Sequence, residues 1–171
     1  MFAIRPLQGS DHAQLLRINA AHLPAVAALD AGELHRIASI GQLHRVAVAG
    51  DAGAEPSVLG YLLAFESGAQ YDGEEFRHFS ARLRHSFLYI DQVAIAASAR
   101  RQGIARALYE SLAVEARGRR CALLCCEVNT VPPNPGSMTF HRRLGFEPLD
   151  VMAVADGRTV ALLTRSTLPF S

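Results

Sequence analysis

One carboxylate stands where carboxylates are costly, and a rival stands at the end of a second strand. Asp91 lies inside the apolar run FLYIDQVAIA (residues 87–96), and Glu127 follows two cysteines in CCEVN. A carboxylate taken out of water is destabilising unless paired, and desolvation moves its pKa up towards the range of a useful general base. Either residue would then accept a proton from a nucleophile or anchor a cation. The plain alternatives are an ion pair for Asp91 and a solvated strand end for Glu127. A second group handles the opposite charge. In SARRQGIARALYE (residues 98–110), Arg100, Arg101 and Arg106 crowd the start of a helix expected from about Arg101 to Arg117, with no carboxylate before Glu110. That is the wrong charge for a helix N-terminus and costs about 0.3–1 kcal/mol per residue. A bound anion offsets it. First-turn N–H groups and arginines both bind phosphate oxygens, and Gly103 lets the backbone approach closely. A solvated basic patch is the competing reading.

Composition narrows the chemistry. The chain has 171 residues, half of them apolar, enough for the core of one α/β or α+β domain. All 17 basic residues are arginine, which excludes a lysine Schiff base and a P-loop lysine. The formal net charge of +1 gives no global attraction to nucleic acid or to an anionic membrane, and no apolar run approaches transmembrane length. The opening MFAIRPL lacks the basic region and long apolar run of a signal peptide, so a cytoplasmic protein is expected. Cys121, Cys125 and Cys126 lack CxxC spacing. On a strand the first two would lie ~13 Å apart at ~3.3 Å per residue, so buried reduced thiols are expected rather than a disulfide or a zinc site. The seven histidines show no metal-ligand spacing, and no metal is expected.

The elements that must position these residues follow from hydrophobic period and punctuation. FAIRPL reads as a strand stopped at Pro6. SDHAQLLRINAAHL reads as a helix capped by Ser10 or Asp11, and DAGELHRIASIG as a second, capped by Asp30. LHRVAVAG and SVLGYLLAFE read as strands joined through the loose turn GDAGAEP. Residues 67–86 read as a long connection with a helical turn from Glu74 onward. The strand with Asp91, the arginine-fronted helix and the strand RRCALLCCEVN then form a βαβ crossover. PGSMTFHRRLG is a short helix, and FEPLDVMAVADGRTVALLT a closing hairpin turned at DGR. The order β-α-α-β-β-β-α-β-α-β-β, with no linker, predicts a single α+β domain over residues 1–171.

VAIAASARRQGIARALYESL resembles the acyl-coenzyme A motif of the GNAT superfamily of N-acetyltransferases, an apolar strand followed by [Arg/Gln]-x-x-Gly-x-[Gly/Ala] opening a helix. Here the six residues are Arg100, Arg101, Gln102, Gly103, Ile104 and Ala105. EVNTVPPNPGSMTFHRRLGFEPL resembles the second family signature, an asparagine, a short helix and an ending carried by Leu144, Gly145 and Phe146. The element order matches over most of the chain. The resemblance implies a GNAT-like fold, a mixed central sheet flanked by helices, and transfer of an acetyl group from acetyl-coenzyme A to an amine by direct attack in a ternary complex.

The resemblance also implies roles. Backbone N–H groups from Arg101 to Arg106 would hold the coenzyme A pyrophosphate. The main chain of Val93 and Ile95 would pair with the pantetheine arm, and the two parallel strands would splay beyond Ile95. Asn129 would sit near that arm or an ordered water. Asp91 and Glu127 remain rival bases. Many relatives carry a tyrosine four residues before the glycine of Leu-Gly-Phe, where this chain has His141. A histidine with a pKa of about 6.5 would protonate a thiolate more readily than a tyrosine of about 10; alternatively His141 merely bonds coenzyme A or sits on its helix surface. That departure keeps open a non-catalytic acyl-coenzyme A-binding regulatory module. For the acceptor, a small-molecule amine or a peptide, residues 20–30 and 67–86 are the candidates. In the latter, Tyr71 and Phe76 with Asp72, Glu74 and Glu75 make an acidic-aromatic loop suited to a cation, or an ordinary solvated loop. The C-terminal hairpin offers a dimer contact, as in many relatives.

Overall fold

The protein, described by a computed structural model over residues 1–50 and 56–167, begins with β1 (Ala3–Pro6), α1 (His12–Ala20), α2 (Ala31–Ser39), β2 (Arg45–Ala49) and β3 (Ser57–Glu66). It continues through α3 (Glu74–Arg82), β4 (Phe87–Ile95), α4 (Ile104–Gly118) and β5 (Leu123–Val131). It closes with α5 (Pro135–Arg143), β6 (Glu147–Ala153) and β7 (Thr159–Ser166). The strands follow the order β1-β2-β3-β4-β5-β7-β6 in a mixed sheet. The chain groups into two compact units, Met1–Phe65 with Gln92–Leu112, and Glu66–Asp91 with Ala113–Ser171. Their boundaries fall inside β3, β4 and α4, which is why no linker composition marks them.

In the first unit β1, β2 and β3 are antiparallel neighbours, with a bulge in β2 between Ala47 and Val48. Most of the turn GDAGAEP lies outside the described residues. Leu15 and Ile18 of α1, and Leu34 and Ile37 of α2, are spaced three apart and buried, one helix face each. Asp30 caps α2 as expected, accepting from the Glu33 N–H at 2.8 Å. Asp11 instead serves the turn before α1. It accepts from the Gln8 N–H at 2.8 Å and pairs with Arg5 at 2.7 Å. Gly60 of β3 is required by a close approach, since a Cβ there would lie 2.6 Å from Ile95 Cδ1 and 2.9 Å from the Ala94 carbonyl.

In the second unit β4 and β5 pair in parallel, β5 and β7 antiparallel, and β6 and β7 antiparallel, so β7 lies between β5 and β6. The expected long connection over residues 67–86 contains a full helix, α3. Phe76 and Phe79 lie one turn apart on it and pack on Phe87 and Tyr89, with ring centroids 5.7–6.1 Å apart. Acidic residues in its first turn and Arg82 in its last suit the helix dipole. The expected strand from residue 121 starts at Leu123, and the Cys121 N–H donates instead to the Ala116 carbonyl at 2.9 Å. All three cysteines are free and buried, and burial pushes their thiols up in pKa.

Candidate active site

The arginine loop lies in the first unit. After Ile95 the chain makes one 3-10 turn at Ala97–Ala99, and α4 begins only at Ile104, not at Arg101. Arg101 (φ 62°) and Gly103 (φ 80°) are both left-handed, which a right-handed helix cannot contain. Arg100 and Arg101 therefore precede the helix, only Arg106 lies in its first turn, and the charge conflict shrinks to one residue. The Ala107 N–H donates to the Gly103 carbonyl at 3.0 Å, which leaves the preceding N–H groups projecting from the helix start. A Cβ on Gly103 would meet nothing within 4 Å, so the space above it is open. Arg100, Arg101, Gln102 and Arg106 are exposed, Ile104 is buried and Ala105 half-buried. Gln102 Nε2 donates to the Ser98 carbonyl at 3.3 Å. His22 Nδ1 donates to the Ile18 carbonyl at 2.8 Å, which makes Nε2 the acceptor for Arg100 Nη2 at 3.1 Å. Val93 and Ile95 are half-buried and alternate with buried Gln92 and Ala94, leaving one face of β4 partly open. An open glycine, exposed guanidinium groups and unpaired first-turn donors fit a pyrophosphate.

The carboxylates lie in the second unit. The β4–β5 register runs from Phe87↔Leu123 to Ile90↔Cys126, and the next residues on the two strands are Asp91 and Glu127. Pairing thus stops at the two carboxylates, well before the expected splay beyond Ile95. The Tyr71 hydroxyl donates to Asp91 Oδ1 at 2.7 Å, and the Tyr89 hydroxyl reaches the same oxygen at 3.5 Å. Glu127 Oε2 is buried with no hydrogen-bond partner. Burial first, then the charges of Asp91 and Glu75, hold the Glu127 carboxyl well above the usual carboxylate range; a Tyr89 hydrogen bond and Arg158 act by less in the other direction. Burial and the neighbouring carboxylates also push Tyr71 and Tyr89 up, so both phenols remain donors.

Arg158 belongs to this cluster and carries no sequence signal beyond the turn DGR. Its Nη1 donates to Asn129 Oδ1 at 3.0 Å, its Nε to Asp156 Oδ2 at 2.6 Å and its Nη2 to Glu75 Oε1 at 3.5 Å. Burial opposes its charge, but Asp156 and Glu75 outweigh that and raise its pKa. Asn129, expected near the pantetheine arm, is held by this arginine. Tyr71 reaches Asp91, whereas Phe76 is 3% exposed in the aromatic core. Phe76 is therefore corrected from an acceptor contact to a core residue, since it offers no surface to bind with.

His141 is also a packed residue. The end of α5 is a Schellman turn: the Gly145 N–H donates to the Arg142 carbonyl and the Phe146 N–H to the His141 carbonyl, each at 3.0 Å, with Gly145 at φ 84°. Phe146 packs edge-on against the His141 ring at 5.4 Å, the apolar contact that accompanies this motif. Nδ1 of His141 donates to the Ser137 carbonyl at 2.8 Å. Burial lowers the imidazole pKa, and the residue is 6% exposed, so the expectation of a helix-surface position is corrected.

Chemically, the cluster divides two carboxylates between two environments. Asp91 has an oxygen taken up by a phenol, while Glu127 has a bare oxygen and a raised proton affinity. Burial without a partner for that oxygen favours the protonated form of Glu127. A model of the Acetyltransferase (GNAT) family matches residues 26–146, which include the arginine loop, both carboxylates and the Leu-Gly-Phe ending. The chain belongs to the GNAT acetyltransferase family. As a GNAT enzyme it transfers an acetyl group from acetyl-coenzyme A to an amine. No curated protein matches the sequence. Among solved structures, NAA60 of Arabidopsis thaliana in complex with acetyl-CoA is 17% identical, over 97% of this chain and 99% of that one, with a TM-score of 0.77. Ard1 of Thermoplasma volcanium is 18% identical over 98% and 99%, with a TM-score of 0.74. The ribosomal-protein-alanine N-acetyltransferase of Brucella melitensis is 25% identical over 96% and 99%, with a TM-score of 0.67. These likenesses place the chain in the GNAT fold. Among the described residues no group of side chains could hold a metal, and no helix is long and apolar enough to cross a membrane.

Proposed function

We propose that this GNAT chain acetylates the α-amine of a peptide or protein, with Glu127 as the base. The observation that carries this reading is the buried, unpartnered Glu127 Oε2. An α-amine is largely an ammonium at neutral pH and cannot attack until it loses a proton. Glu75 and Glu127 face the Arg158 guanidinium, and Asp91 adds negative charge beside Glu127, so the cluster draws a cation and gives its proton a destination. When bound, acetyl-coenzyme A supplies the thioester. Glu127 takes one proton from the ammonium, the freed amine forms the new C–N bond, and the C–S bond breaks with its electron pair on sulfur. The nitrogen's second proton then leaves with that sulfur as the thiol. A peptide α-amine accords with the names of similar structures, a ribosomal-protein-alanine N-acetyltransferase from Brucella melitensis and Arabidopsis thaliana Naa50 in complex with the bisubstrate analogue CoA-Ac-MVNAL.

The test is a panel of peptides with a free α-amine, the same peptides blocked at the N-terminus but carrying lysine, and small diamines, read by coenzyme A release and product mass. Turnover confined to free α-amines is expected. Equal turnover of the blocked peptides would overturn the α-amine reading, and tight acetyl-coenzyme A binding with no turnover across the panel would favour a sensor.

A further inference from the structure

Asn19, Tyr61 and Gln92 are buried together in the first unit at 1%, 0% and 6% exposure, and the acetyl-transfer chemistry described above uses none of them. Asn19 Nδ2 donates towards the Ala27 carbonyl at 2.9 Å, the Tyr61 hydroxyl at 3.0 Å and Gln92 Oε1 at 3.1 Å. The Tyr61 hydroxyl donates to Gln92 Oε1 at 3.1 Å, and Gln92 Nε2 to the Ala27 carbonyl at 3.2 Å. Asn19 Oδ1 accepts from the Leu29 N–H at 2.9 Å. Asn19 thus holds a carbonyl and the N–H two residues on, much as the peptide group of a neighbouring strand does. It does so for a stretch, Ala27–Leu29, that has neither helix nor strand. Buried amides are stable only when satisfied, and a satisfied network specifies one arrangement where an apolar trio would tolerate several.

Gln92 gives this network a consequence for the reaction. It lies in β4 between Asp91 and Val93, whose side chains take the opposite face of the strand. Gripping the Gln92 side chain at both its oxygen and its nitrogen fixes the roll of β4 about its own axis. That sets the direction of the residues on either side. One turn beyond Asn19, His22 holds Arg100 of the arginine loop.

We propose that Asn19, acting through Gln92 and Tyr61, is a positioning residue for β4, and that this buried network aligns the strand for acetyl transfer. The proposal rests on acetyl transfer and not on the identity of the acceptor. Misalignment by a fraction of an ångström slows chemistry more than it weakens binding, because the phosphates are gripped by a separate loop.

The experiment uses Asn19→Ala and Gln92→Met in the full chain, the second keeping side-chain length while removing both polar atoms. Both variants are expected to lower kcat by roughly 10-fold or more, with acetyl-coenzyme A affinity, read by calorimetry, within about 3-fold of wild type. Hydrogen exchange separates the two bonds of the network. The Leu29 amide should exchange faster in Asn19→Ala and keep its protection in Gln92→Met, while amides of residues 92–95 exchange faster in both. An unchanged kcat in Gln92→Met overturns the proposal. So does a fall in activity that tracks only the fraction of folded protein, with exchange at residues 92–95 unaltered. If Asn19→Ala does not fold, Gln92→Met and Tyr61→Phe carry the test. Turnover of amines other than peptides would count against the α-amine reading and leave these comparisons intact.

Discussion

Glu127 is held above the ordinary glutamate value of 4.5 by burial and by the charges of Asp91 and Glu75. A raised folded-state pKa means that folding favours the protonated form. That stability is fully present below about 4.5 and is lost as pH rises through the folded value, at up to ~1.4 kcal/mol per pH unit for one proton. A base needs the other form, so turnover rises across the same window. Stability should therefore fall from about pH 4.5 and level off at the folded pKa, the same pH about which the rate rises, measurable by urea unfolding and by kcat/KM across pH. Glu127→Gln should lower kcat about 100-fold or more and flatten the pH dependence of stability. A rate midpoint away from the pH at which stability levels off, or wild-type turnover in Glu127→Gln, would remove Glu127 as the base. Arg158 tests the same electrostatics from outside. Its charge favours the Glu127 carboxylate, so Arg158→Gln should move the rate midpoint upward and lower turnover at neutral pH, with recovery in alkali. A midpoint that does not move would leave Arg158 as a brace for Asn129 and Glu75 only.

At the scale of elements, α4 and α5 differ in how their ends were readable. The glycine of the arginine loop was legible because φ 80° is a conformation that local sequence must supply. A β-branched residue there is strained by about 1–2 kcal/mol, so Gly103→Val should weaken acetyl-coenzyme A binding at least ~10-fold by calorimetry, with Gly103→Ala between the two. Unchanged affinity would end the pyrophosphate-cradle assignment. The helix start was not legible, because the left-handed turn at Arg101 is imposed on a residue that rarely adopts it. Leu144-Gly145-Phe146 was legible as a pattern but not as a Schellman turn, and His141 was open between chemistry and packing until Phe146 was seen against its ring. His141→Phe keeps that apolar contact and should leave turnover within about 3-fold, at a stability cost of roughly 1 kcal/mol for the lost Ser137 bond. A large fall in kcat with the fold intact would instead make His141 an acid. The carboxylate strands were readable from apolar runs broken by one charge. That Glu75 and Arg158 join them was not, because these come from α3 and the turn after β6, distant in sequence, and Tyr89, two residues before Asp91 on β4, carried no signal of its own.

At the scale of the molecule, each boundary between the two units falls inside a strand or helix. The chain crosses between them inside β3, β4 and α4, and helix formation is cooperative along an element. Phe87–Asp91 of β4 belong to one unit and Gln92–Ile95 to the other, yet they form one strand. Loss of structure in either unit should therefore propagate through these shared elements, and unfolding should be a single transition. Phe79 provides the test, since it is fully buried against Phe87 and Tyr89 in the second unit only. Phe79→Leu should cost on the order of 1 kcal/mol and speed exchange of the best-protected amides about fivefold. Because Val46 pairs with Tyr61 in the first unit and Cys126 with Leu163 in the second, each set of amides reports on its own unit. The expected outcome is the same factor at Val46 and at Cys126. Acceleration at Cys126 alone would mean that the units open independently, and that β4 can fray at Asp91 without disturbing the strand that carries Val93 and Ile95.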